Sequence, residues 1–443
     1  MQAIPIKKST LLVAGALAFG CGNSTLQNLI QNNPLFPPGT TRVSVDSGGA
    51  EGNDNSFEPT LSADSRFAAF FSFASNLVPN DTNGIEDIFV HDRTTGATTR
   101  VSVDSAGVEA NGGSSNPSLS ADGRFVAFES NASNLVANDT NVRLDIFVHD
   151  RQTGETTRVS LGPGGLEPNA NCFDTAISAD GRFVAFQSFA SNLVANDTNN
   201  QADVFVHDRQ SGETTRVSLA DGGAEANSGS SLGGISADDR LVTFRSDATN
   251  LVANDTNNTF DIFVRDRQAN TTTRVSLSTA GVEANGSSND SDISADGRFV
   301  AFQSSATNLV ANDTNNDNDI FVRDLQTNTT TRVSVDSNGV ESLDSAGSPS
   351  ISADGRFVAF HSEASNLVAD DTNGNLDVFV HDRLTGSTTR VSLDSNGAQA
   401  NESSSNAVIS ADGLAVIFSS LASNLVPNDN NSSRDIFVNQ RQP

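Results

Sequence analysis

The chain has no tryptophan and no tyrosine, one methionine and two cysteines in 443 residues. Phenylalanine supplies all 27 aromatic side chains, so the mixed aromatic platforms on which sugars or single-stranded bases stack are thin. Cysteines at 21 and 172 alone make no disulfide framework. The N-terminal apolar run, residues 11–19, is far shorter than the ~20 residues a membrane helix needs. Basic residues are scarce as well. Against 26 Lys and Arg stand 54 Asp and Glu, a net charge of -28. That balance excludes nucleic acid and anionic lipid as partners held by charge, and suits cations or basic partners.

What the chain has in abundance is repetition. The phrase S-A-D-G-R-F or a version of it recurs with its Asp at Asp64, Asp122, Asp180, Asp238, Asp296, Asp354 and Asp412, every 58 residues. A fixed period of this kind marks a repeat architecture. The phrase T-T-R-V-S also occurs seven times, but its set starts at residues 40–44 and ends at 388–392, one step out of phase. A linear solenoid has no use for that permutation. A closed ring does, because the first strand completes the last repeat and removes an open sheet edge. The expected fold is therefore all-β: a seven-bladed β-propeller of four-stranded antiparallel blades, closed by the N-terminal strand over residues 40–443.

One copy shows how a blade is built. Strand A is expected at 116–120, strand B at 125–130, strand C at 145–149 and strand D at 156–161, with Asp122-Gly123 forming the A–B hairpin turn. F-V-A-F and I-F-V are apolar on both faces, as sheets stacked face to face require. T-T-R-V-S alternates, as an outer, half-solvated strand should. These phrases resemble the TolB-type propeller repeat, with its Ser-Pro-Asp-Gly turn, short apolar strand and D-I-Y-V-M-D phrase; here they are residues 120–124, 125–128 and 145–150. The resemblance implies a TolB-like fold in an exported bacterial protein. TolB itself is six-bladed with an additional domain, so its partner contacts do not carry over.

Residues 1–20 read as an export signal: Lys7 and Lys8, the apolar run, then small residues before Cys21. Ala18-Phe19-Gly20-Cys21 resembles a bacterial lipobox, which implies lipidation at Cys21 and, by analogy with Gram-negative lipoproteins, routing to the outer membrane. Ala18 and Phe19 depart from the usual lipobox residues, and Ala16-Leu17-Ala18 is a rival A-x-A cleavage site. Residues 21–39, rich in Asn, Gln and Pro, read as a tether.

The loop into strand C reads D-x-N-x-x-x-D in every copy. Its residues are Asp81, Asn83 and Asp87; Asp139, Asn141 and Asp145; Asp197, Asn199 and Asp203; Asp255, Asn257 and Asp261; Asp313, Asn315 and Asp319; Asp371, Asn373 and Asp377; and Asp429, Asn431 and Asp435. Such oxygens in a tight loop could wrap calcium weakly, as in the start of an EF-hand loop, though its fixed Gly and bidentate Glu are missing. The other reading is an Asx turn, in which the same side chains bond nearby backbone N–H groups. Glu51, Glu109, Glu167, Glu225, Glu283 and Glu341, with Gln399 in the seventh copy, are either completing ligands or an acidic rim.

His91, His149, His207 and His381 share a repeat position that becomes Arg265, Arg323 and Asn439 elsewhere, which argues for structure over catalysis. His361 stands alone in strand B. S-A-D-G-R-F superficially resembles the sialidase Asp box, but its Gly follows the Asp directly and Trp is missing. Arg at the T-T-R-V-S position and Asp at the end of strand C are expected to pair across strands C and D. The residues that break the repeat, Cys172-Phe173-Asp174, Asp290, Asp292 and Leu343-Asp344, are candidates for the central mouth. Together these features point to a monomeric, exported, non-enzymatic binding scaffold whose top face, made by the B–C and D–A loops, meets a protein or glycan partner. The alternative is a polysaccharide hydrolase or lyase with its site at the central mouth.

Overall fold

The computed structural model describes residues 36–442, of which Pro38–Gln442 form a compact unit. The proposed signal peptide, Cys21 and most of the tether lie outside the described residues. Seven four-stranded antiparallel sheets follow one another along the chain. In the second blade the strands are Ser114–Leu119 (A), Phe125–Ser130 (B), Asp145–Asp150 (C) and Glu155–Arg158 (D). Strand D is shorter than T-T-R-V-S suggested. After Val159 N bonds Ile146 O, the chain turns into a second small hairpin, bridged in the preceding blade by Val103 and Glu109.

Burial explains the strand sequences. Strand C is buried along its whole length in this blade, and Phe128 stacks on Phe147 at 5.9 Å between centroids. The core is not inside a blade but between blades. Ala69, Ile88 and Val90 of the first blade form one cluster with Phe128, Leu135 and Phe147 of the second, and six equivalent clusters complete the ring. Fully burying each such Phe or Val contributes about 1.5–3 kcal/mol.

The S-A-D-G-R-F turn is accounted for atom by atom. Ser120 Oγ donates to Asp122 Oδ1 (2.7 Å) and accepts from Phe125 N (2.9 Å), while Asp122 Oδ1 also accepts from Arg124 N (3.0 Å). Gly123 has φ +67°, and a Cβ there would sit 2.3 Å from the Phe67 ring of the preceding blade. Hence glycine is needed twice over, for its backbone and for the close approach.

The ring closes as the permuted motif requires. Gly39–Arg42 pairs antiparallel with Asp435–Gln440, Thr41 opposite Val438, and Val43 N donates to Ile436 O. Val43 joins Ile436 and Val438 in the cluster between the last and first blades. A chain truncated up to residue 46 exposes the edge of Asp435–Gln440 and loses the burial of Val43 and Val45. It should melt at lower temperature and self-associate on size-exclusion chromatography. Unchanged melting and elution would mean that this strand does not close the ring in solution.

Candidate functional site at the channel mouth

The D-x-N-x-x-x-D loops fold around an arginine. In the first blade Asn83 Oδ1 accepts from Ile85 N (3.2 Å), and Asn83 Nδ2 donates to Asp87 Oδ2 (2.9 Å) and Ala110 O (3.1 Å). Arg100, in strand D, reaches Asp81 (3.3 Å), Asp87 (3.0 Å) and Glu109 (2.9 Å). Ser102 donates to the other Asp87 oxygen (2.5 Å), and Thr82 donates to Glu109. Arg42, Arg158, Arg216, Arg274 and Arg332 repeat the arrangement; Arg390 keeps its two Asp partners where Gln399 replaces the Glu. The guanidinium thus stands among the carboxylates where a cation would have to sit. Among the described residues no group of three or more His, Cys, Asp or Glu side chains is placed to hold a metal ion. Burial, with the neighbouring Asp87, pushes Asp81 up to about 6 against the pull of Arg100.

This corrects the expected pairing across strands C and D. The register sets Asp92 opposite Ala97 and Arg100 opposite Phe89, so the two charges lie at opposite ends of the hairpin. Asp92 instead takes both nitrogens of Arg66 from the A–B turn, at 3.0 and 2.7 Å, which pulls it down to about 2.

The interchange of His, Arg and Asn also has a physical reason. Thr98 Oγ1 donates to Val45 O of the neighbouring hairpin, so the partner on its other side must be a donor, and His91 Nδ1 is 2.9 Å away. Arg265, Arg323 and Asn439 donate to the equivalent threonines. All three residue types can do so.

The seven strands A converge on a cavity of about 600 Å³. Here the repeat breaks down. Strand C begins D-I-F-V or D-V-F-V in every blade, whereas strand A reads SFEPTL, SSNPSL, CFDTAI, SSLGGI, SNDSDI, AGSPSI and SSNAVI. Each strand A carries a β-bulge against strand B. In six blades the bulge holds a non-glycine residue at positive φ: Glu58, Asn116, Asp174, Asp290, Ser348 and Asn406. Such backbone is strained by roughly 1–3 kcal/mol per residue, and bulges of this kind re-aim side chains.

Across the mouth the groups are unlike one another. Glu58 Oε2 accepts from Asn116 N (3.0 Å) of the next blade; Glu129 accepts from Ser115 Oγ and Asn116 Nδ2 (both 2.8 Å) and from Asp174 N (3.1 Å). Burial, then the charges of Glu129 and Asp174, lift Glu58 to about 7, although its bond from Asn116 opposes this. Burial raises Asp174 too, against Arg245. Arg245 donates to Asn289 Oδ1 (2.9 Å) and lies over the Phe260 ring. Burial lowers the proton affinity of His361, against the charge of Asp290. Asp290 and Asp292 line the cavity as the sequence suggested, with Asp292 tied to the N–H groups of Ile293 and Ile351. Cys172 is instead a core residue whose thiol burial pushes up to about 12. Leu343 is 61% exposed in the D–A loop, at the position where Asn111 bonds the B–C loop of its blade. Sequence reasoning missed Glu58, Glu129 and Arg245, although comparing strand B at the 58-residue period shows Phe71, Glu129, Gln187, Arg245, Gln303, His361 and Ser419 at one position.

No protein-family model matches the chain, and no curated protein matches it. Its likeness is to solved propellers. An oligogalacturonate lyase in complex with manganese shares 13% identity over 91% of this chain and 93% of its own, with a TM-score of 0.55. The β-propeller domain of the Trilobed protease from Pyrococcus furiosus, described as having an open velcro topology, shares 12% over 87% and 95%, TM-score 0.53. TolB from Acinetobacter baumannii shares 16% over 69% of this chain and 59% of that one, TM-score 0.39. At such identities the likeness is one of fold: the chain is a seven-bladed β-propeller.

Two outcomes check these assignments. Arg216→Met leaves three carboxylates without their cation and should destabilise the fold by about 3–5 kcal/mol, whereas Arg66→Met, whose side chain is 39% exposed, should leave the urea midpoint nearly unchanged; urea midpoints decide. Because Arg100 and its counterparts stand among these carboxylates, melting in calcium and in chelator should coincide at matched ionic strength; a higher melting temperature in calcium would restore the metal reading.

His207 supplies a test by pH. Burial lowers it from 6.5 to about 4, so its neutral form stabilises the fold above the unfolded value, and that stability is lost as pH falls from 6.5 towards 4. His207→Asn, which keeps a donor as at Asn439, should match the parent at pH 7.5 and exceed it by about 2 kcal/mol at pH 4.5. A constant difference between the two pH values would refute the assignment.

Proposed function

We propose that this chain is an exported propeller that binds a protein or glycan partner at the mouth of its central channel and carries out no chemistry there. One observation carries the reading. The blades are near copies wherever the residues hold the ring together, and differ where all seven meet, as an asymmetric ligand at a pseudo-symmetric axis demands. The strained bulges at the same positions support it. Export and lipid anchoring at Cys21 rest on Lys7, Lys8, the apolar run and Gly20-Cys21.

The enzymatic alternative, a polysaccharide hydrolase or lyase, draws on Glu58, which titrates near neutrality as a general base should. Against it, Glu58 and Glu129 each accept a backbone N–H of the following blade. Those bonds fix the bulges and tie each carboxylate to the neighbouring blade. Incubation with neutral and uronate-containing polysaccharides is expected to release neither reducing ends nor the ultraviolet-absorbing unsaturated uronates a lyase makes. Turnover abolished by Glu58→Gln would replace binding by catalysis. In cells, Cys21→Ser should move the protein from the membrane to the soluble fraction; an unlipidated mature N-terminus at Phe19 would favour the rival cleavage.

A further inference from the structure

Phenylalanine recurs at three positions of the repeat: the stacked core pair such as Phe128 with Phe147, and the turn residue such as Phe125. Six others within the blades break the period, namely Phe57, Phe71, Phe73, Phe173, Phe189 and Phe260. Five of them gather at two strands A: Phe57 and Phe173 lie in those strands, and Phe71, Phe73 and Phe189 pack on them. Phe57 stacks on Phe71 at 5.2 Å, and Phe73 meets both rings edge-on while remaining 42% exposed. Phe189 packs edge-on against Phe173 at 6.1 Å and is 52% exposed. Phe57 and Phe173 immediately precede Glu58 and Asp174 in strands A of the first and third blades. Between them the second blade presents Glu129. The first and third blades therefore each set an aromatic pad next to a strand-A carboxylate in sequence, and the charges of Glu129 and Asp174 are near enough to raise the proton affinity of Glu58.

Resting on the binding reading above, we propose that this part of the mouth takes a basic peptide segment: a lysine ammonium among Glu58, Glu129 and Asp174, with apolar residues on either side against Phe73 and Phe189. Charge complementarity selects the occupant. Glu58, Asp290 and Asp292 line the cavity, and among the described residues its lining holds no Arg, Lys or His. A uronate or other anionic chain is repelled, and a neutral glycan supplies no counter-charge. An ammonium answers the excess charge and gains further from the faces of the rings beside it. The cavity, about 600 Å³, admits side chains and short segments but not a folded domain.

The test uses the whole protein and three labelled pentapeptides, Gly-Phe-Lys-Phe-Gly, Gly-Phe-Glu-Phe-Gly and Gly-Ala-Lys-Ala-Gly, read by fluorescence polarisation. The first should bind tightest, with the Glu and Ala versions each about tenfold weaker, the loss of one charge contact or one apolar pad. Asp174→Asn should weaken the first about tenfold, and Phe73→Ala with Phe189→Ala should do the same without altering melting, since both rings are exposed. No lysine occurs within the described residues, so no lysine of the blades competes with the peptide amines in carbodiimide coupling, and the peptide-linked products should map to Glu58, Glu129 or Asp174. Equal binding of the Lys and Glu peptides, or coupling confined to the outer acidic loops, overturns the proposal. If a neutral or acidic glycan binds instead and Asp174→Asn weakens it, the basic-peptide assignment fails while the mouth stands as a binding site. If neither peptide nor glycan responds to the mouth variants, both readings fail.

Discussion

Every blade has two apolar faces and no means of covering either by itself. That constraint organises the molecule. Strand C is buried end to end because neighbouring blades cover it from both sides, and each core cluster draws its residues from two blades. An open row of such sheets would always leave two terminal faces wet and one edge unpaired. Seven blades joined by Gly39–Arg42 leave neither. The links between blades are then polar and local: the Thr98 hydroxyl on Val45 O, the Ala63 N–H on Ala121 O, and the Phe67 ring between Arg66 and Arg151.

A chain so acidic must still bury some of its charge, and it does so by one device used seven times. The buried Asp at the start of strand C receives Arg and Ser donors from strand D and its continuation and an Asn donor from the B–C loop, so it binds those two segments to its own strand at one point. Removing the Arg leaves the buried carboxylates without their cation, which is why an ion pair that adds little when formed is destructive when halved. The residue types are those of a calcium loop, and spacing alone does not distinguish the two. The difference lies in the arginine, which arrives from a strand 13 residues further on and so belongs to no local pattern.

The architecture was legible because it is written seven times. Period, permutation and the two-faced apolar phrases led to blade number, strand order and closure, and only the ends of strands A, C and D differed. The His position was readable as structural from its substitutions, but the reason, a threonine hydroxyl already committed as a donor, required the neighbouring blade. The mouth was the least legible region for a related cause. Motif counting attends to what recurs, and the residues that matter there are those that do not. Asp174, Asp290 and Asp292 were noticed as exceptions. Glu129 and Arg245 were not, because each occupies a strand-B position that looks like an ordinary exposed site until the seven copies are laid over one axis.

Symmetry sets the final limit on what such a ring can do. Seven equal strands at an axis would present seven equal groups to a ligand, so any one contact would be offered in seven competing orientations and none would be selected. Specific recognition at the axis requires the copies to diverge there and nowhere else. Strands B, C and D supply rigid support, and the bulges in strand A keep glutamate, asparagine, aspartate and serine in a backbone region these residues seldom adopt. That strain is tolerable because it is spread over six blades and held by bonds between neighbours, such as Asn116 N on Glu58 and Asp174 N on Glu129. The groups that shape the mouth are thus also those that hold it in place, so the site is set by the ring before any ligand arrives.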